Sequence, residues 1–267
     1  MTQHFPMIDY RLANAAPELE VRNLSLWYES KKALEDVSFD LHPSELLAFI
    51  GPSGCGKSTA LKCLNRMHDD TPGVRIEGEI LFRQKDAYAR DVDPPEYRRH
   101  FGWVAQKPNP FPATIYRNVS YGPQIHGLTS GKADLDELVE SCLRQAHLWE
   151  ELKDVLHKKD GTELSGGQQQ RLCVARALST KPEILLMDEP TGSIDPIATA
   201  KIEELMISLK QDHAIVVITH SMMEARRVAD RVAYFHLGNL LEIGPTEQMF
   251  TAAQTREARS FIAGKFG

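Results

Sequence analysis

Several features that mark large protein classes are scarce in this sequence. Cysteine is rare: Cys55, Cys63, Cys142 and Cys173 are the four among 267 residues, and no two stand in C-x-x-C spacing. That excludes a disulfide-held scaffold and a thiolate zinc site, and it suits reduced thiols. Long apolar runs are missing as well. Stretches such as Ala214–Ile218 fall far short of the ~18–20 residues a membrane-spanning helix needs. Positive charge is not in excess. The 31 basic residues face 37 acidic ones, a net charge of −6, so no basic field favours nucleic acid. Residues 1–17 are polar and mixed and do not read as a secretory leader. Repeats, charge blocks and sustained heptads are absent. What is present is 42% hydrophobic and 25% charged, enough chain to bury a large core without staples.

The hydrophobic pattern predicts strands over Leu19–Tyr28 and Leu34–Leu41, separated by the polar turn Glu29-Ser30-Lys31-Lys32. Leu46–Ile50 is apolar throughout, as in a strand buried on both faces. A helix pattern follows through Leu61 and Leu64, and another strand covers Ile76–Phe82. Pro108-Asn109-Pro110-Phe111-Pro112 forbids regular helix or central strand. Leu135, Leu138, Val139, Cys142, Leu143 and Ala146 then form one apolar helical stripe, with a second helix expected over Leu148–His157. Strands return at Ile184–Met187, Ala214–Thr219, Val232–Phe235 and Leu240–Ile243. Helices are expected at Ile197–Lys210, with Pro196 at the start, at Met222–Ala229 and near Ala258–Ala263. The class is α/β, with a mostly helical insertion over about 107–178.

Three stretches carry chemistry. Gly51-Pro52-Ser53-Gly54-Cys55-Gly56-Lys57-Ser58, followed by Thr59, matches G-x-x-x-x-G-K-[ST] between a buried strand and a helix. Its glycines let backbone N–H groups turn inward around phosphate oxygens, and the helix aims its positive end there. Lys57 would neutralise β- and γ-phosphates, and the Ser58 hydroxyl would ligate Mg²⁺. The plain alternative is a glycine-rich loop that merely connects strand to helix, but a chance match is on the order of one in a hundred at this composition, and the strand and helix context lowers it further. Ile184–Met187 ends in Asp188 and Glu189, at the carboxyl edge of a sheet where ligands bind. Asp188 would hold Mg²⁺ and Glu189 would polarise an attacking water; acids also end strands simply on re-entering solvent. In Leu164-Ser165-Gly166-Gly167-Gln168-Gln169-Gln170-Arg171, Ser165 is an N-cap candidate, and the glycines bare the first N–H groups of a helix.

Taken in this order, the motifs resemble those of the ATP-binding subunit of ATP-binding-cassette (ABC) transporters. Gly51–Ser58 is similar to the family's Walker A loop, Ile184–Glu189 to Walker B, and Leu164–Gln168 to the signature. Gln106 matches the Q-loop glutamine, Gly192–Asp195 the D-loop, and His220 the switch histidine. Tyr28 stands where the family stacks an aromatic on adenine, with Trp27 as its rival. The resemblance implies a P-loop cassette: a mixed, mostly parallel core sheet with helices, an antiparallel β subdomain and an inserted helical subdomain. It implies a leader over 1–18, the ATP-binding domain over 19–250 and a helical tail over 251–267. ATP and Mg²⁺ are the implied ligands, with Gln106 joining Ser58 and Asp188 around the metal. Catalysis would fall to Glu189, His220, Lys57 and Gln106. Ser165, Gly166, Gly167, Gln168 and Asp195 would meet the nucleotide held by a second copy of the chain. The D-loop departs from the family's Ser-Ala-Leu-Asp, reading Gly192-Ser193-Ile194-Asp195.

Within the family, Gln106–Pro112, Leu148–Glu151, Gln168–Cys173 and Asp195–Glu203 are similar to the ATP-binding subunits of bacterial inorganic-phosphate importers. That implies a homodimer peripheral to the cytoplasmic face of the inner membrane. Its partners would be two integral-membrane permease subunits, a phosphate-binding protein indirectly, and no nucleic acid. Pro108–Pro112 would be the docking surface. Rivals are another importer, such as one for amino acids, a soluble ABC ATPase of DNA maintenance or translation, and a non-hydrolysing regulatory module. The single continuous cassette disfavours the soluble types, and intact Lys57, Glu189 and His220 disfavour the last. Cys55, at a helix N-terminus, is expected to have a lowered thiol pKa and to react with thiol reagents.

Overall fold

The computed structural model describes residues 8–9 and 16–264. In chain order it forms β1 (Ile8–Asp9), β2 (Leu19–Tyr28), β3 (Lys31–Leu41), β4 (Leu46–Ile50), α1 (Lys57–Leu64), β5 (Val74–Phe82) and β6 (Lys85–Asp86). Then come α2 (Pro94–Arg99), β7 (Phe101–Val104), α3 (Ile115–Ile125), α4 (Lys132–Gln145), α5 (Trp149–Leu152) and a 3₁₀ turn at Gly161–Glu163. The rest is α6 (Gly166–Leu178), β8 (Ile184–Asp188), α7 (Pro196–Leu209), β9 (Ala214–Ile218), α8 (Met222–Val228), β10 (Arg231–His236), β11 (Asn239–Pro245), α9 (Thr246–Ala252) and α10 (Arg256–Ile262). Most of the leader expected over 1–18, and residues 265–267 of the tail, lie outside the described residues.

The chain divides into two compact units. The first takes the residues up to Arg98 together with those from Ala214 onward. Here β4 pairs in parallel with both β9 and β10, and β10 pairs antiparallel with β11. A separate antiparallel sheet runs β3-β2-β5-β6. The turn between β2 and β3 is tighter than its polar sequence suggests. Glu29 takes a left-handed backbone (φ 53°), so β3 begins at Lys31. β4 is buried at all five positions, as a strand covered on both faces must be. The Phe49 ring lies 5.3 Å from Phe39 and 4.8 Å from Phe235, joining strands of both sheets in one core. Beneath it, buried Arg231 donates to Asp40 (2.9 Å) and Glu45 (3.2 Å). Burial pushes the Glu45 carboxyl up, against the pull of Arg231.

The second unit is Arg99–His213. It holds the parallel pair β7–β8 and the helices α3 to α7. The α4 stripe is buried at Leu135, Val139, Cys142 and Leu143. The helix expected over Leu148–His157 is cut short: only Trp149–Leu152 is α-helical. The carbonyls of Leu156 and Lys159 instead accept from the Tyr116 and Ile115 N–H groups, so they serve the start of α3. Buried Asn118 ties down the proline-rich segment. Its Oδ1 accepts from Phe111 N, and its Nδ2 donates to the carbonyls of Phe111, Ala113 and Thr114.

Candidate functional site

In the first unit, β4 runs into the phosphate loop and α1 leaves it. Gly51, Gly54 and Gly56 all take positive φ (144°, 74° and 107°). A Cβ at Gly51 would stand 2.1 Å from the Phe235 carbonyl, and one at Gly56 2.8 Å from Leu34 Cδ2. Only glycine serves there, and the result is a backbone curl. Lys57 is 5% exposed, and its ammonium donates to the Gly51 (2.7 Å) and Pro52 (2.9 Å) carbonyls. No side chain caps α1, whose first turn carries no acid. A buried ammonium inside a curled loop, at a helix start with uncapped N–H groups, is an anion cradle sized for phosphate. Pro52, Ser53, Ser58 and Thr59 stand on the same loop and helix start.

Cys55 does not have the expected character. It is 3% exposed, and burial pushes its thiol pKa up; the nearby Lys57 ammonium only partly offsets this. Desolvation of a thiolate costs more here than the helix start returns.

Tyr28 ends β2, with its hydroxyl 3.4 Å from Thr59 Oγ1 and its ring edge-on to His68. The Trp27 ring is covered by the Arg75 guanidinium at 4.0 Å and by Lys32 at 5.1 Å, whereas Tyr28 reaches Thr59 at the start of α1. His220 follows β9 and is exposed. Its neighbour Thr219 is buried and donates to Glu224 at 2.7 Å, and Ser221 caps α8 by accepting from Glu224 N.

In the second unit, β8 delivers Asp188 and Glu189. Glu189 adopts a left-handed backbone (φ 49°), a costly state for a non-glycine residue and one that clusters at functional positions. Its Oε2 accepts from Gln106 Nε2 at 2.7 Å, which brings together two residues 83 positions apart. Asp195 caps α7, accepting from the N–H groups of Ala198 and Ile197. These bonds hold its carboxyl below the usual range. Ser165 caps α6 in a full capping box with Gln168. Gly166 is exposed, while Gly167 is buried with its Cα pressed on α7: a Cβ there would stand 2.5 Å from Ala198 Cβ.

Sequence reasoning missed the residues that hold these elements. Gln170 is fully buried and donates to the Ala105 carbonyl, beside Gln106. Arg176 donates to the Asn109 carbonyl and Oδ1 and lies over the Phe111 ring. Arg171 and Glu151 form a 3.0 Å ion pair. Gln170, Cys173 and Arg176 recur every third residue on one face of α6, a spacing that could have marked them as a set.

A phosphate loop after a buried parallel strand, with acids ending another strand, defines a P-loop nucleotide-binding protein. A family model described as ABC transporter matches residues 34–192, more than half of the chain. The chain belongs to the ABC transporter family. Among solved structures it is similar to CbiO1 from Clostridium perfringens, described as part of the ABC transporter complex cbiONQ. The identity is 24% over 94% of this chain and 99% of that one, with a TM-score of 0.78, a likeness of fold. The fold is the ABC ATPase cassette, and ATP with Mg²⁺ is the ligand pair of such cassettes. The residues present fit that pair. The loop geometry suits a polyphosphate.

Proposed function

We propose that this chain is the ATP-hydrolysing subunit of a bacterial inorganic-phosphate importer. It works as a homodimer under two integral-membrane permease subunits on the cytoplasmic face of the inner membrane, supplied by a phosphate-binding protein. The observation that carries the ATPase reading is the buried Lys57 ammonium within the three-glycine curl. The choice of phosphate among solutes rests on the likeness of Gln106–Pro112, Leu148–Glu151, Gln168–Cys173 and Asp195–Glu203 to phosphate importers. No helix of the described residues is long and apolar enough to cross a membrane, and in this reading the permease subunits supply the spanning segments. Pro108–Pro112, pinned by Asn118 and Arg176, is the stiff segment we assign to docking.

Residue roles follow from motif and geometry. Gly51–Thr59 binds the triphosphate, Lys57 neutralises it, and Tyr28 stacks on adenine. Ser58, Asp188 and Gln106 would hold Mg²⁺, which when bound supplies charge neutralisation at the β- and γ-phosphates. Glu189 accepts a proton from the attacking water at its carboxylate; its bond to Gln106 fixes which oxygen faces outward. His220 contacts the γ-phosphate. Ser165–Gly167 and Asp195 of each chain complete the pocket of a second copy, so ATP favours the closed dimer and hydrolysis releases it.

Glu189→Gln is the test. Its turnover should fall by about 10²–10⁴-fold, the usual worth of a positioned base, while ATP drives it into a stable dimer seen by light scattering. An equally active variant would reject the role. Labelled phosphate uptake, lost in cells without the chain and restored by it, tests the solute; intact uptake in its absence refutes it.

A further inference from the structure

Glu151 stands on α5 and has no role in the site described so far, yet one carboxylate gathers donors from two helices. Its Oε2 accepts from Gln168 Nε2 at 2.8 Å and from Arg171 Nη2 at 3.2 Å. Its Oε1 accepts from Arg171 Nη1 at 3.0 Å and faces the Lys201 ammonium on α7 at 3.5 Å. Arg171 is 4% exposed, and its Nη1 also donates to the His147 carbonyl. Burial pushes the Glu151 carboxyl up, but the hydrogen bonds from Arg171 and Gln168 outweigh it and hold it down at about 2. It stays charged at any working pH.

The consequence falls on Gln168. Its Oε1 accepts from Ser165 N at 3.2 Å, while Ser165 Oγ accepts from Gln168 N at 3.3 Å. With Nε2 on Glu151, both ends of the amide are engaged inside the chain. An amide flip would put carbonyl oxygen against carboxylate, so the charge on Glu151 also fixes which end meets Ser165. The exposed Ser165–Gly166 turn thus takes its orientation from a carboxylate one residue removed.

We infer that Glu151 is a positioning residue for the signature turn: through Gln168 it sets the Ser165 backbone in the orientation that engages a nucleotide held by a second copy. Gln168 then serves as the strut between Glu151 and the turn. The inference rests on the two-copy reading proposed above.

A double-mutant cycle in the Glu189→Gln protein tests it. Two quantities are read: binding of trinitrophenyl-ATP to the single chain, which does not use its own Ser165–Gly167 turn, and the ATP concentration giving half-maximal dimer. Glu151→Gln and Gln168→Met should each raise that concentration about tenfold, the scale of one lost charge-assisted hydrogen bond. Binding to the single chain should stay within about twofold, below the scale of any lost hydrogen bond. Combined, they should cost no more than either alone. A merely structural role predicts additive losses that follow thermal stability. Because Glu151→Gln leaves the Arg171 charge buried, Glu151→Asp replaces it in the cycle if that variant fails to fold. Additive effects, or an unchanged ATP requirement, overturn the positioning role. A Glu189→Gln parent that never dimerises overturns the two-copy reading itself.

Discussion

Replacing Gly167 by alanine probes how closely the signature turn is seated on α7. The backbone at Gly167 needs no left-handed torsion, so alanine is locally acceptable, and only space is at issue. The added Cβ would stand 2.5 Å from Ala198 Cβ and 3.6 Å from Ala198 Cα. Carbon atoms rest at about 3.5–4.0 Å, so one helix must withdraw by about 1 Å. Overpacking of this kind costs about 2–3 kcal/mol at the severe end. Loss of glycine freedom in the unfolded chain returns up to about 1 kcal/mol. A net loss of about 1–2 kcal/mol remains, which lowers the melting temperature by about 2–8 °C in a chain of this size.

The functional effect should exceed the thermal one. Ser165 and Gly166 ride on the same turn, so a 1 Å withdrawal misplaces them while the phosphate loop is untouched. In the Glu189→Gln background, ATP should still bind the single chain, and ATP-dependent dimer should fall by an order of magnitude, the cost of about one misplaced hydrogen bond. Ala198→Gly in the same chain removes the opposing methyl and leaves an ordinary 3.6 Å contact. It should restore the dimer and recover most of the overpacking cost, less about 0.5–1 kcal/mol for the new helix glycine. Calorimetry and light scattering read both quantities. A Gly167→Ala protein with unchanged melting and dimerisation, or a double variant no better than the single, refutes the close-seating account.

Two further outcomes follow. Cys55 is buried with a raised thiol pKa, so in the native chain N-ethylmaleimide should modify it at neutral pH far more slowly than a free thiol; rapid native labelling at Cys55, located by peptide mapping, would contradict that burial. Glu151 has a folded pKa of about 2 against an ordinary 4.5, so its contribution to stability is full above about pH 4.5 and fades as pH falls toward 2. Urea unfolding of wild type and Glu151→Gln should show a gap at pH 7 that narrows through pH 3, and a gap that widens in acid would reverse the sign.

The parts that sequence made legible are those whose cause is local. Leu46–Ile50 reads as a buried strand because every residue is apolar, and it is one. The phosphate loop reads from contiguous residues because three glycines and a lysine carry the geometry themselves. Ser165 reads as a cap because its partner is three residues on. Non-local causes were invisible. The Leu148–His157 pattern is helical, but Leu156 and Lys159 are drawn off to serve α3. The Cys55 thiol looked activated by its helix start, and burial, which no motif encodes, reversed it. Gln106 meeting Glu189 and Glu151 meeting Gln168 are contacts across 83 and 17 residues, fixed only once the second unit has folded.

Those contacts give the second unit a common frame for its exposed elements. Gln170 on α6 holds the peptide at Ala105, next to Gln106, which holds Glu189. Gly192 packs against the same pair: a Cβ there would meet Gln106 Nε2 at 3.5 Å and Glu189 Oε2 at 3.6 Å. A serine at this position, usual in the D-loops this one resembles, would therefore fit without displacing either, so the glycine is not forced by space. Its effect lies elsewhere, in removing a hydroxyl from beside the Gln106–Glu189 bond. Position 192 thus borders the Gln106–Glu189 pair within the same unit, while Asp195 caps α7 independently.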